Sequence, residues 1–178
     1  MLKEHFTGAA DYNAWANARL YEAAFALNDA DYHRDVGAFF HSLHGTLNHI
    51  LVADRIWMRR LTGTGDSPNR LDAILYDDLA ALAEARAAED ERIQSYIGGL
   101  APARFAGEVT YATTSGAEHT QELRVILAHF FNHQTHHRGQ AHTVLSIVTG
   151  AEPPALDILY WQRGLEAKDL RAMAKAAR

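Results

Sequence analysis

The chain has 178 residues, with 17 Lys and Arg against 22 Asp and Glu, a formal net charge of −5 with His neutral. It contains 11 His but no Cys, which excludes disulfides, thiolate metal sites, iron–sulfur clusters and cysteine nucleophiles together. The acidic balance without a dense Lys/Arg run argues against nucleic-acid binding by phosphate neutralisation, and no apolar run approaches the ~18 residues that span a bilayer.

The N-terminal stretch MLKEHFTGAADYNAW lacks the charged-then-apolar layout of a secretory signal. The expectation is one cytoplasmic domain over residues 1–178, long enough to bury a core. The first helix is predicted from about Lys3 to Leu27, with Phe6, Ala9, Ala16, Leu20, Ala23, Ala24 and Leu27 on one face. The second is predicted from about Phe40 to Leu61 and is stopped by Thr62-Gly63, with Gly65 and Pro68 beyond. The third runs from about Tyr76 to Ile97 and ends at Gly98-Gly99. Residues Glu108 to Thr113 alternate in polarity and lead into Thr114-Ser115-Gly116, the signature of a short β-hairpin. The fourth helix is expected from about Gln121 to Val148, with Thr120 as its N-cap and Glu122 in its first turn. Pro153-Pro154 cannot continue it, and a last Ala-rich helix is expected from about Leu165 to the end. Four long helices with modest connections make an all-α four-helix bundle.

The fourth helix carries the decisive pattern, His129-Phe-Phe-Asn-His133-Gln-Thr-His136-His137-Arg-Gly-Gln140. Its apolar stripe follows from Ile126 and Phe130 before, and from Ala141, Val144 and Val148 after. Stepping by three or four between them passes through His133 and His137. At i,i+4 the two rings lie on one face, one turn apart, where they can share an ion. Ordinary core histidines are the alternative. They would leave two buried acceptor nitrogens, each costing roughly 1–3 kcal/mol if unpaired.

In the second helix, Leu43, Leu47, Ile50, Trp57 and Leu61 mark the core side, and His41, His44, Asn48, Arg55 and Arg59 fall on the opposite, solvated face. His49 lies at the edge of the apolar arc among Thr46, Ala53 and Ile56, small enough neighbours to admit another helix. As a third ligand it would complete a facial set with open coordination positions, the pattern of a catalytic site. No His-Glu-x-x-His and no Glu-x-x-His occurs, which removes zincin and ferritin-like di-iron readings.

Asp54 falls inside the apolar arc of the second helix, and Asn13 on the apolar face of the first. The simpler account is a buried hydrogen bond joining those helices; the other makes Asp54 a general base or a group orienting a metal ligand. Gly139 suggests close approach of another backbone, and Arg138 beside it could reach the hairpin or a neighbouring subunit. His129 shares the His133 face as a weaker ligand candidate, and His136 points away to the surface.

Asn48-His49-Ile50 with Ala53-Asp54 and Trp57, together with His133-x-x-x-His137-Arg138-Gly139-Gln140, resembles the DinB/YfiT-like family. This is the bacterial damage-inducible bundle family, unrelated to the translesion polymerase that shares the name. Tyr12-Asn13-x-Trp15-x-Asn17 and Pro153-Pro154-x-x-Asp157 also suit it, so the resemblance covers essentially the whole chain. It implies an up-down-down-up bundle, often a homodimer, with a divalent ion (commonly zinc or nickel) held at one end by three histidines that map onto His49, His133 and His137. The family includes thiol-dependent S-transferases and a maleylpyruvate isomerase, and many members have no established reaction.

The expected function is a metal-dependent enzyme on a small-molecule substrate. Three neutral imidazoles leave an ion its full charge, which lowers the pKa of a water or a low-molecular-weight thiol bound to it. The first gives a hydrolase and the second a thiol S-transferase. Asp54 and Gln140 are the candidate catalytic groups, orienting a ligand or the bound water. The alternative is a non-enzymatic metal-binding stress or interaction protein, for which a fourth protein ligand would close the shell.

Overall fold

A computed structural model describes all residues, 1–178. The elements are α1 (Leu2–Phe25), α2 (Asp29–His33), α3 (Leu43–Thr62), α4 (Leu79–Gly99), β1 (Glu108–Ala112), β2 (Glu118–Glu122), α5 (Leu123–Thr149), α6 (Ile158–Gln162) and α7 (Leu170–Ala176). A 3-10 turn at Pro102–Ala106 leads into the hairpin. The bundle is formed by α1, α3, α4 and α5, with α1 against α4 and α5, and α3 against the same two.

The apolar core divides in two. One cluster holds Leu20, Leu47, Leu82 and Leu145, and the other Phe6, Met58, Ile93 and Phe130. The first thus gathers the C-terminal halves of α1 and α5 with the N-terminal halves of α3 and α4. The four helices therefore run up, down, down, up. Running α3 and α4 in the same direction has a cost in chain. α3 has 20 residues and is about 30 Å long, so residues 63–78 must travel back along the bundle before α4 can begin. Such a segment can reach on the order of 50 Å, and it lies against α3.

That connection overturns one expectation. His44 and Asn48, assigned to a solvated face, are buried. Asn48 Oδ1 accepts from the Leu75 and Tyr76 amides at 2.9 and 3.1 Å, and its Nδ2 donates to the Tyr76 carbonyl at 3.0 Å. A polar face on α3 was read correctly as polar, but its partner is backbone rather than water.

Some helix ends match expectation and others differ. α3 is capped by Ser42, whose Oγ accepts from the Gly45 amide, and Gly63 closes it in the left-handed conformation at φ 74°. Asp78 caps α4 by accepting from the Ala81 amide. Thr120 is not the cap of α5. It lies in β2 opposite Thr110, with their hydroxyls 2.8 Å apart. The hairpin runs straight into the helix, and the Leu123 amide donates to the Gly107 carbonyl at 2.8 Å. The expected C-terminal helix is shortened to α7, an unexpected short helix α6 precedes it, and the Leu165 carbonyl in between accepts from the Trp15 indole. No helix is long and apolar enough to cross a membrane.

Between the two apolar clusters lies a buried polar layer. Arg86 pairs with Asp54 and, at 3.0 Å, with Asp90. Asp54 also accepts from Gln134, and Asp90 accepts from Asn13 and Asn17. Arg138 donates to Asn13 and to Gln134. Two guanidinium groups thus face two carboxylates, so the layer is neutral as a whole. This corrects the expected direct Asn13–Asp54 link: the network ties all four bundle helices, and the two residues meet different partners. It also corrects Arg138, which points inward rather than toward the hairpin or a neighbour.

Candidate metal centre

His49 from α3 and His133 and His137 from α5 converge near the middle of the bundle's length rather than at its end, because all three lie well inside their helices. One ring nitrogen of each lies within 4.8 Å of the others. His49 Nε2 is 3.1 Å from His137 Nε2, which is 3.0 Å from His133 Nε2. Two nitrogens on one tetrahedral zinc are about 3.3 Å apart, given bonds of about 2.0–2.1 Å.

The outer hydrogen bonds determine which nitrogens carry protons. His49 Nδ1 is 2.7 Å from the Leu71 carbonyl oxygen, which can only accept, so Nδ1 carries the proton and Nε2 a lone pair. His137 Nδ1 is likewise 2.7 Å from Gln140 Oε1. Two Nε2 lone pairs therefore face each other with no hydrogen between them, an arrangement that is unfavourable unless a cation lies among them. The residues present fit a divalent ion, and the triad could bind one.

Burial keeps the rings neutral. It pushes His133 down to about 3, with His137 and His49 adding repulsion against a proton. It pushes His137 down to about 4 against the opposing bond to Gln140, and lowers His49 despite the Leu71 carbonyl. Without metal, the unfolded chain therefore takes up protons more readily than the folded one below the ordinary His value of about 6.5. Stability from this source is complete above about 6.5 and is lost as the pH falls toward the depressed values. Metal-stripped protein is expected to lose more melting temperature from pH 7 to 5 than a metal-stripped His133→Phe variant with the same polar layer, which circular dichroism checks. Equal losses in the two proteins would contradict it.

The loop before α3 forms a roof over the site. Phe40 stacks on His49 with ring centroids 3.9 Å apart and planes 17° from parallel. His41 next to it has φ 65°, a conformation that non-glycine residues seldom adopt. The glycine that matters is Gly45, where an added β-carbon would collide with the Phe40 carbonyl oxygen. Gly139, expected to mark close backbone approach, meets nothing within 4 Å. Gly45→Ala should displace the roof and cost about 1–3 kcal/mol, as overpacking does, whereas Gly139→Ala should be neutral or slightly stabilising. Paired thermal melts test this; equal midpoints for the two variants would refute the roof contact.

In front of the triad is a cavity of about 780 Å³. Phe39, Leu71 and Ile74 stand at its walls and are 82 %, 52 % and 51 % exposed. Gln140 lines it and His136, though exposed, stands on its rim. Of the two candidate catalytic groups only Gln140 reaches the cavity. Asp54 lies in the polar layer with its oxygens engaged by Arg86 and Gln134. His129 is exposed, packs against Trp57 and stays outside the triad.

The sequence reading missed Phe40, the Leu71 carbonyl and Gly45. A glycine in the first turn of a helix was the one available signal. The Leu71 carbonyl had none, because any residue could supply it.

Comparison with known proteins agrees with this geometry. The model of the DinB family matches residues 1–168. The chain is similar to Protein DinB of Bacillus subtilis (strain 168), 25% identical over 152 residues that cover 81% of this chain and 86% of that protein. With the helical bundle and the three converging histidines already described, the chain belongs to the DinB family.

Proposed function

We propose that the protein is a metal-dependent enzyme in which His49, His133 and His137 hold zinc or nickel, and that it acts on a small electrophilic substrate with water or a low-molecular-weight thiol. The observation that carries this reading is a cluster of three imidazole acceptors that ends at three and opens onto a cavity. A purely structural ion is better served by a fourth protein ligand, so the geometry favours catalysis over the metal-binding interaction protein.

A divalent ion at such a site supplies a full positive charge for activating a water or thiol. The chain's own residues do the rest. The Leu71 carbonyl and Gln140 Oε1 aim two imidazoles by holding their Nδ1 protons. Phe40 shields the His49 ring from water, and Phe39, Leu71 and Ile74 offer apolar walls to a substrate. Gln140 Nε2, 3.4 Å from His136 Nε2, stands at the cavity edge, where its second N–H can donate to a substrate oxygen. Because the chain has no Cys, a thiol would come from a co-substrate.

The test is metal analysis of protein prepared without a histidine tag, followed by a screen of electrophiles with and without thiols. Turnover that needs both the metal and His133 is expected. Absence of turnover with every metal and thiol combination would favour the non-enzymatic reading.

A further inference from the structure

A second group of metal-type ligands lies outside the triad, where α2, α3 and the lead into α4 meet. It consists of His33, His44 and Asp77, with one ligand atom from each within 4.8 Å of the others. His44 Nε2 is 3.6 Å and His33 Nε2 3.9 Å from the same Asp77 oxygen, and the two rings are 4.5 Å apart. These spacings exceed a hydrogen bond, so the three groups do not satisfy one another directly.

Proton placement leaves a bare ring nitrogen of His33 facing the Asp77 carboxylate. His33 Nδ1 lies 3.0 Å from the Asp29 carbonyl and 3.2 Å from its carboxylate, so it donates there and Nε2 is bare toward Asp77. A carboxylate that fixes the far nitrogen of a histidine is the usual support of a metal-bound imidazole. His44 Nε2 is 3.2 Å from the Tyr76 carbonyl and donates to it in the metal-free chain, but that oxygen also accepts from Asn48 at 3.0 Å and stays satisfied when Nε2 gives up its proton to an ion. Asp29 and Asp77 are both 92% exposed, so water can complete a coordination shell.

We propose that His33, His44 and Asp77 form a second divalent-cation site, selective for borderline ions such as zinc by its two imidazoles and one carboxylate. An ion there ties Asp77, at the end of the 63–78 connection, to α2 and α3. That connection also carries the Leu71 carbonyl that aims His49, and Asn48 anchors it just before Asp77.

The experiment is zinc titration of the full chain by isothermal calorimetry, with bound zinc counted by mass spectrometry after desalting. A His33→Ala, Asp77→Asn double variant should bind one zinc fewer per chain than the parent protein. The same loss should appear when both changes are made in a His133→Ala background, so the result does not depend on the triad. Both substituted positions reach solvent, and circular dichroism verifies the fold. A control His119→Ala, an exposed histidine of β2, should leave the count unchanged. A zinc count unmoved by the double variant, or reduced as much by His119→Ala, overturns the site.

Discussion

Replacing His137 with alanine is expected to abolish tight binding of one metal ion and to lower the melting temperature toward that of chelator-treated parent protein. His137 is the central member of the triad, with its Nε2 within 3.1 Å of both other Nε2 atoms. An ion bound only by the folded chain stabilises it by about 4 kcal/mol at a free concentration a thousandfold above its Kd. That contribution disappears in the variant, and added metal should shift its melt by less than the parent's, with only the share of the His33–His44–Asp77 site remaining. Gln140→Ala separates coordination from orientation. It keeps all three imidazoles but removes the acceptor for His137 Nδ1, so affinity should fall about 10–100-fold with the fold unchanged. Calorimetry with zinc, and melts with and without chelator, read both. If His137→Ala still binds one tight ion that chelation removes with the parent's loss of melting temperature, the triad is not the principal site.

The second large effect belongs to the polar layer. Arg86→Ala should destabilise the protein by about 3–5 kcal/mol, the usual cost of leaving buried partners uncompensated. At about 2–4 °C per kcal/mol for a chain of this size, the melt should fall by roughly 6–20 °C. Arg86 is fully buried between Asp54 and Asp90. Burial pushes both carboxyls up, and Arg86 opposes it. Without the guanidinium, the folded state holds these protons more tightly than the unfolded state. Stability from that source is present at low pH and lost as the pH rises through the raised values. The deficit of the variant should therefore be larger at pH 8 than at pH 5. Arg86→Met combined with Asp54→Asn and Asp90→Asn should recover part of the loss, because the charges leave together. A deficit independent of pH would mean that lost packing, not uncompensated charge, dominates.

The two layers have opposite pH signs for one reason. Burial disfavours charge, so imidazoles shift down and carboxyls shift up. Acid therefore opposes the triad, while alkali opposes an arginine-free polar layer.

Much of this was legible from the amino-acid sequence. The helical period placed His133 and His137 on the core stripe of α5 and His49 at the edge of that of α3, and the structure brings all three together. Alternation and a turn triplet located the hairpin, and Gly63 and Gly150 end their helices as expected. Asp54 and Asn13 were recognisable as polar groups in apolar arcs, though not their partners. Periodicity reports which face of a helix avoids water, because that property belongs to the helix alone.

Tertiary structure decided the rest. The parallel run of α3 and α4 sends residues 63–78 back across α3, burying Asn48 and delivering the Leu71 carbonyl to His49. Arg86 and Asp90 meet Asp54 and the asparagines of α1 only after four helices close on one layer. Whether a polar face meets water, backbone or a charge depends on what another segment brings to it, and no local pattern encodes that encounter. The sequence by itself therefore determined the bundle and its three placed histidines, and the packing determined how they are aimed, covered and opened to a cavity.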